Sequence, residues 1–313
     1  NKRNDINLAN LHRVAIGGEP VKLSPQARDA MNAARASFMA YLDADRSRFC
    51  YGTASGAGQR ATQTVAPQDQ RKHAREMAQS PSGAGVGAEF LPDRVVRMII
   101  FARLANYIEG NAKARTVEAE RIVSMLERPL PRLPLAGQLG AGEILPLFHV
   151  MDAMPSGDVE EGEPMARING SPVSAALVSD VAITARRRLD LGTKIFALSI
   201  EAYGAPLAAY DASLIRYSAN PHEKRALKAL RRWLVKASST GRLTHQAPVS
   251  WRILPTVLAA TEEAGATLEE TARMSVRSVP ANPVYGVPDR RNPQGRGSAT
   301  GGYQSARAPA ASE

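Results

Sequence analysis

The chain has 313 residues, of which 44% are hydrophobic, 22% charged and 5% aromatic, with a net charge of +10 and one cysteine. That balance suits a globular chain of one large or two ordinary domains. No window approaches the roughly 20 apolar residues of a membrane-spanning helix, and Asn1-Lys-Arg-Asn-Asp-Ile6 lacks the apolar core of a signal peptide. The lone Cys50 excludes an intrachain disulfide, fits a reducing cytoplasm and reads as a small buried apolar residue. The positive charge permits an anionic partner. However, Arg186-Arg-Arg188 and the run Lys224–Arg232 fall in helical patterns and read as solvated faces. Aromatic platforms for single strands are missing, so nucleic-acid binding is not expected. His12, His73, His149, His222 and His245 are scattered without ligand spacing, and no metal site is expected.

Residues 1–23 read as an extended lead-in. Ser24-Pro25 is a helix start, an N-cap followed by proline at the first position. Met31, Ala34, Phe38 and Tyr41-Leu42 carry that helix to about Arg46. A glycine-hinged loop, Tyr51-Gly-Thr-Ala-Ser-Gly-Ala-Gly58, follows, then a polar stretch with a helical patch at Lys72–Ala78. Asp93 opens a helix that is apolar nearly all round and therefore buried. Gly110-Asn111 interrupts it, and Thr116–Glu127 continues as an amphipathic helix that Pro129, Pro131 and Pro134 end. Gly137, Gly140 and Gly142 punctuate the apolar run before His149, a pattern that reads most plainly as a Gly/Pro loop between helices.

Met151–Gly162 is acidic and turn-rich, and Asn169-Gly170 is a common turn dipeptide. From Ser174 to about Gly204 one helix of roughly 45 Å is expected, with Leu177, Val181, Leu189, Ile195, Phe196 and Leu198 as its apolar stripe. Asn220-Pro-His-Glu223 is a cap with glutamate at the capping-box position, and a last helix runs over about Thr256–Arg277. These signals divide the chain into an N-terminal helical region (1–135), a central helical region (136–286) and a Gly/Pro/Ser-rich tail (287–313) expected to be loop or disordered.

Several motifs, in order, resemble the histidine and phenylalanine ammonia-lyase family. Gly137-Gln-Leu-Gly-Ala141 and Gly142-Glu-Ile-Leu-Pro-Leu-Phe-His149 are similar to the two halves of its signature Gly-Ser-Val-Gly-Ala-Ser-Gly-Asp-Leu-Ala-Pro-Leu-Ala-His. The serine that dehydrates into the electrophilic methylideneimidazolone is missing between Ala141 and Gly142. Tyr51, Gly52, Gly56 and Gly58 resemble the family's Tyr-Gly-Val-Asn-Thr-Gly-Phe-Gly, with Ala57 in place of the aromatic. Gly83–Gly87 resembles the end of Ser-His-Ala-Ala-Gly-Val-Gly, with Ser82 where the histidine stands. Ile168-Asn169-Gly170 matches Ile-Asn-Gly. Gln246, Ser250, Arg252 and Pro255 match Gln-Asp-Ala-Tyr-Ser-Leu-Arg-Cys-Ala-Pro, with Val249 replacing its tyrosine.

The resemblance implies a mainly α bundle of long helices that assembles as a homo-oligomer, dimer or tetramer, with composite active sites. It implies that Tyr51 is the acid/base, Arg252 the clamp on a substrate carboxylate, and Asn169 and Gln246 polar positioners. Ser82, Val249 and Ala57 would line the substrate site, and Gly140, Ala141, Gly142 and Glu143 would form the signature loop. No methylideneimidazolone is expected, because its precursor is missing. The first functional expectation is a lyase-fold enzyme with altered chemistry acting on a small carboxylate. A non-catalytic descendant that binds a ligand or a related subunit is the second. A third follows if a modified serine was left out of the written chain between Ala141 and Gly142: a true C–N lyase or aminomutase. Each site residue also has a plainer reading: Tyr51 as a half-buried anchor, Asn169 as a turn, Arg252 as a surface ion pair.

Overall fold

The structure is a computed structural model that describes residues 1–79, 88–135, 144–242, 246–279, 281–286, 290 and 296–297, the last two for their backbone alone. It is mainly α-helical and forms two compact units, one from the described residues of 1–180 and 272–297, the other from those of 181–271. The chain leaves the first unit inside one helix and returns inside another.

In the first unit, α1 (Leu8–Ala15) occupies part of the region expected to be extended. Asn7 Oδ1 caps it by accepting the Asn10 N–H at 3.0 Å, and Leu11, Val14 and Ala15 are its buried face. Eight residues are too short a pattern to separate this helix from a loop. α2 (Pro25–Ala44) starts as its cap predicts, with Ser24 Oγ accepting the Ala27 N–H at 3.1 Å. α3 (Gln70–Gln79) contains the helical patch. α4 (Asp93–Arg103) buries Val95, Val96 and the run Met98–Arg103, and α1 packs along it. α5 (Thr116–Met125), α6 (Ile144–Asp152) and α7 (Glu163–Ile168) complete the helices that lie wholly in this unit.

Phe38 of α2 anchors a small core with Leu42, Cys50, Ala54 and Tyr285. The Tyr285 ring meets Phe38 edge-on at 5.4 Å, and its hydroxyl lies 2.9 Å from Ser37 Oγ. Tyr285-Gly286 (β1) pairs antiparallel with Arg296-Gly297 (β2), the only sheet among the described residues.

α8 (Pro172–Tyr203) begins in the first unit and ends in the second. Its buried face is made of small residues and Ile200, including Ala175, Ala176, Ala182 and Ala197. Much of the expected apolar stripe is instead exposed, Leu198 by 69% and Ile195 by 54%. Alanines at helical spacing carry too little hydrophobicity to compete with leucine in a periodicity argument, yet they allow close packing.

In the second unit, α9 (Pro221–Leu234) is capped by Asn220, whose Oδ1 accepts from the His222 and Glu223 N–H groups. Glu223 does not close the expected capping box. Its carboxylate accepts from Ser218 Oγ at 2.5 Å and Thr256 Oγ1 at 2.9 Å, two side-chain donors in place of one backbone N–H. α10 (Val249–Arg252) and α11 (Leu254–Arg277) follow. Arg186, read from sequence as solvated, pairs with Glu262 and Glu269 of α11 at 2.7 and 2.6 Å. No helix among the described residues is long and apolar enough to cross a membrane.

The first unit holds a fully buried carboxylate, Glu118 of α5. Arg167 donates to it in two-pronged fashion, Nε at 2.6 Å and Nη2 at 2.9 Å, and Arg121 adds a third donor. Glu118→Ala would leave the buried Arg167 guanidinium unpaired. The expected cost is about 3–5 kcal/mol, measured as a fall in the urea midpoint at unchanged m-value.

Candidate active site

The Tyr51 loop is built on the Cys50 carbonyl, which accepts the N–H groups of Thr53, Ala54 and Ser55 at 2.9, 2.9 and 3.2 Å. Gly52 adopts φ 66°, and a Cβ there would lie 2.3 Å from Met165 Cγ, so this position needs glycine on both counts. The loop closes when Gly58 N–H donates to the Tyr51 hydroxyl oxygen at 2.8 Å, leaving the phenolic O–H free to act as donor. Tyr51 and Ala57 pack against Met151 of α6 and Met165 and Ile168 of α7, together with Met77 and Phe148.

Three stretches far apart in sequence thus meet around one thioether: the tyrosine loop, the helix after the signature loop and the Asn-Gly turn. Asn169 Nδ2 lies 3.4 Å from Met165 Sδ and donates to the Asn282 carbonyl. His73 of α3 faces the Ser55 carbonyl. Burial holds its imidazole below the ordinary histidine range, only partly opposed by Glu76, so it is neutral at pH 7.

What holds α7 in place is a lattice of guanidinium groups on the acidic segment before it. Arg71 donates to Asp158 (2.6 Å), Glu160 (2.8 Å) and Glu161 (3.1 Å). Arg35 bonds Glu160 at 2.8 Å and also the main-chain carbonyls of Lys113 and Glu161. Arg115 grips the buried Glu163 with Nε and Nη2, both at 2.9 Å. Burial alone would raise the Glu160 and Glu161 carboxyls. Hydrogen bonds outweigh it, from Arg71 and Arg35 for Glu160, and from the backbone, Arg71 and Arg46 for Glu161, so both stay below the usual range.

Three further predicted site residues lie in the second unit. Gln246 and Val249 are exposed, as is Arg252. Arg252 Nε donates to the Ala247 carbonyl at 3.0 Å, and its two terminal nitrogens bond to none of the described residues. With Lys224, Tyr217 and apolar Leu214, Ile215 and Leu227, Arg252 lines a depression of about 330 Å³. Tyr51, Ala57 and Asn169 are therefore brought together in one unit, and Gln246, Val249 and Arg252 follow one another in the other. Ser82, Gly140, Ala141, Gly142 and Glu143 lie outside the described residues. Sequence reasoning missed Met165, Met77 and Lys224. Met165 had a usable signal, since it stands four residues before Asn169, one helical turn away. Among the described residues no group of three His, Cys, Asp or Glu is placed to hold a metal ion.

Comparison with known proteins places these features in context. The family model described as aromatic amino acid lyase matches residues 6–160 and 157–311. The histidine ammonia-lyase of Sorangium cellulosum is 28% identical over 315 residues, covering 91% of this chain and 61% of its own. The chain thus spans about three fifths of the length of that relative. Among solved structures, the phenylalanine aminomutase of Pantoea agglomerans superposes with a TM-score of 0.80 at 16% identity, covering 94% of this chain and 64% of that one. The ergothioneine-degrading ergothionase of Treponema denticola gives 0.76 at 18%, covering 89% and 61%. At such identities the likeness is one of fold.

Two outcomes follow from the geometry. Gly52→Ala should destabilise the chain by about 1 kcal/mol or more and raise amide exchange across residues 50–58, read by hydrogen–deuterium exchange. The depressed Glu160 and Glu161 carboxyls give stability that is present above the unfolded glutamate value of about 4.3 and lost as pH falls through it toward their folded values. Thermal midpoints should therefore ease down below about pH 6.5, where the unfolded chain gains a proton that buried His73 resists, and drop more steeply below about pH 5.

Proposed function

The chain belongs to the aromatic amino acid lyase family, and from that premise we propose that it is an enzyme of this fold with altered chemistry. On this reading Tyr51 moves a proton on a small carboxylate-bearing substrate, in an elimination, a conjugate addition or cyclisation, or an isomerisation. The observation that carries the reading is the Tyr51 hydroxyl. It is oriented by the Gly58 N–H, backed by Met165, and mounted on a loop where the surrounding packing requires glycine at 52 and 56.

The family's prosthetic group does not fit this chain. Its precursor needs a side chain that can lose water to form an alkene, and Ala141 is joined directly to Gly142. Without that electrophile an amine is not activated to leave. The chemistry within reach is then removal or return of a proton next to a group that already withdraws electrons. A phenolate at Tyr51 would take that proton, and the phenol would return it. Asn169 ties its turn to Asn282 and keeps Met165 under the loop, which fixes the direction of the hydroxyl.

Arg252 suits the carboxylate clamp. Its Nε is anchored on Ala247 and its terminal nitrogens remain to form a two-pronged contact. The depression beside it offers a second cation, Lys224, over an apolar floor, which fits an anion with a hydrophobic body. In this proposal Gln246 is a polar positioner and Val249 leaves room near Arg252 in the second unit, while Ala57 leaves room beside Tyr51 in the first. A second copy of the chain is expected as a partner. The fold alone does not choose the reaction, since its neighbours carry the names ammonia-lyase, aminomutase and ergothionase.

The test is a turnover screen against amino-, hydroxy- and unsaturated carboxylates, with peptide mass mapping across Leu133–Val150. Tyr51→Phe should lower kcat by about 10²–10⁴ while costing no more stability than the Gly58 hydrogen bond supplies, about 1 kcal/mol. Arg252→Ala should act mainly on KM. No turnover in the screen, with the chain's biological activity unaltered in Tyr51→Phe, would favour the non-catalytic binding reading. A dehydrated serine found between Ala141 and Gly142 would restore the C–N lyase or aminomutase reading.

A further inference from the structure

The C-terminal end of α9 borders a depression of about 560 Å³ that the proposed reaction does not use. It shares no lining residue with the depression beside Arg252. Its wall is fixed by Tyr210, which is 1% exposed and whose hydroxyl donates to the Trp251 carbonyl at 2.5 Å. The Tyr210 carbonyl in turn accepts from Arg231 Nη1 at 2.5 Å. That is the one hydrogen bond the Arg231 side chain makes with the described residues, so most of its N–H groups are left for a ligand. Arg232 lines the same depression, and its guanidinium forms no hydrogen bond or ion pair with the described residues.

Asp211 follows Tyr210 directly, so the carbonyl that anchors Arg231 and a carboxylate on the same wall belong to consecutive residues. Its Oδ1 accepts the Ser213 N–H at 2.8 Å. The Ser213 hydroxyl and that N–H hold the carboxyl below the usual range, and Arg231 adds a smaller effect, so Asp211 is ionised at neutral pH. Arg231 and Asp211 nevertheless form no direct ion pair with each other. Opposite charges thus line one depression without meeting. Leu207, Leu234 and Val235 supply apolar surface between these groups and solvent, Val235 being 79% exposed.

We propose that this depression binds a free α-amino acid with an apolar side chain, its carboxylate on Arg231, its ammonium on Asp211 and its side chain against Leu207, Leu234 and Val235. A guanidinium already held by one nitrogen suits a two-pronged contact with a carboxylate. The end of α9 carries the partial negative charge of a helix C-terminus, which favours an ammonium and works against a bare anion. A phosphate would meet Asp211 with like charge, and a simple amine would meet two arginines. A zwitterion satisfies both signs, and the apolar surface selects for its side chain. Such a site would sense an amino acid away from the groups assigned to turnover, and it does not rest on the Tyr51 reading.

The test is isothermal titration calorimetry of the purified chain with L-leucine and L-phenylalanine. Saturable binding is expected, about tenfold or more weaker for L-leucinamide, which lacks the carboxylate, and for N-acetyl-L-leucine, which lacks the ammonium. Glycine, without the apolar body, should also bind more weakly. Asp211→Asn keeps an oxygen for the Ser213 N–H and removes the charge, so it should weaken L-leucine without weakening N-acetyl-L-leucine. Arg231→Gln should weaken both. Arg252→Ala should bind L-leucine as the unaltered chain does, which separates this site from the depression beside Arg252. Absence of saturable binding by either amino acid, equal affinity for N-acetyl-L-leucine, or binding that survives both Asp211→Asn and Arg231→Gln would overturn the proposal. The ligand series is read on the unaltered protein, so the test stands even where a variant folds poorly.

Discussion

The first unit depends on a chain of irregular backbone being held inside protein, and charge pairing is what holds it. Residues 161–173 are buried almost throughout, although only α7 and the start of α8 give that stretch regular hydrogen bonding. Packing alone would place it loosely, because turns bury little apolar area. Arg35, Arg46, Arg71 and Arg115 converge instead on Glu160, Glu161 and Glu163, and each planar fork sets both a distance and a direction. Desolvating these ions is costly, so the lattice contributes less to net stability than its number of bonds suggests. What it supplies is position. Met165 follows Glu163 by two residues, and the tyrosine loop rests on Met165.

Much of the helical skeleton could be read before the structure. Ser24-Pro25 and Asn220-Pro221 announce their helices through local chemistry, and the apolar run after Asp93 has no exposed face to assign. The site was legible where a motif names a residue, as with Tyr51, Asn169 and Arg252. Its supports were not. Glu118, Glu163 and Arg167 are charged residues that composition assigns to the surface, and partners distant in sequence make their burial tolerable. Nothing local to Arg35 indicates that residues about 125 positions away will meet it. α1 escaped for a different reason: a short helix is marginal by propensity and exists because α4 packs against it.

On the proposed reading, each unit taken by itself carries a different chemistry. The first holds the Tyr51 hydroxyl beside methionine and phenylalanine side chains, and the second holds Arg252 and Lys224 along one depression. The reaction proposed would then draw on the substrate's own electron-withdrawing group.

Gly162 carries a lesson about sequence drift. Its φ of 81° disfavours most side chains, and the space where its Cβ would stand is already filled by the Lys113 stem. A β-carbon at 162 therefore needs the Lys113 stem to shift or shorten, and carries the strain of positive φ either way. Forty-nine positions apart, the two should mutate as a couple. In any lineage descended from this chain, a change in one column of an alignment ought to be accompanied by a change in the other.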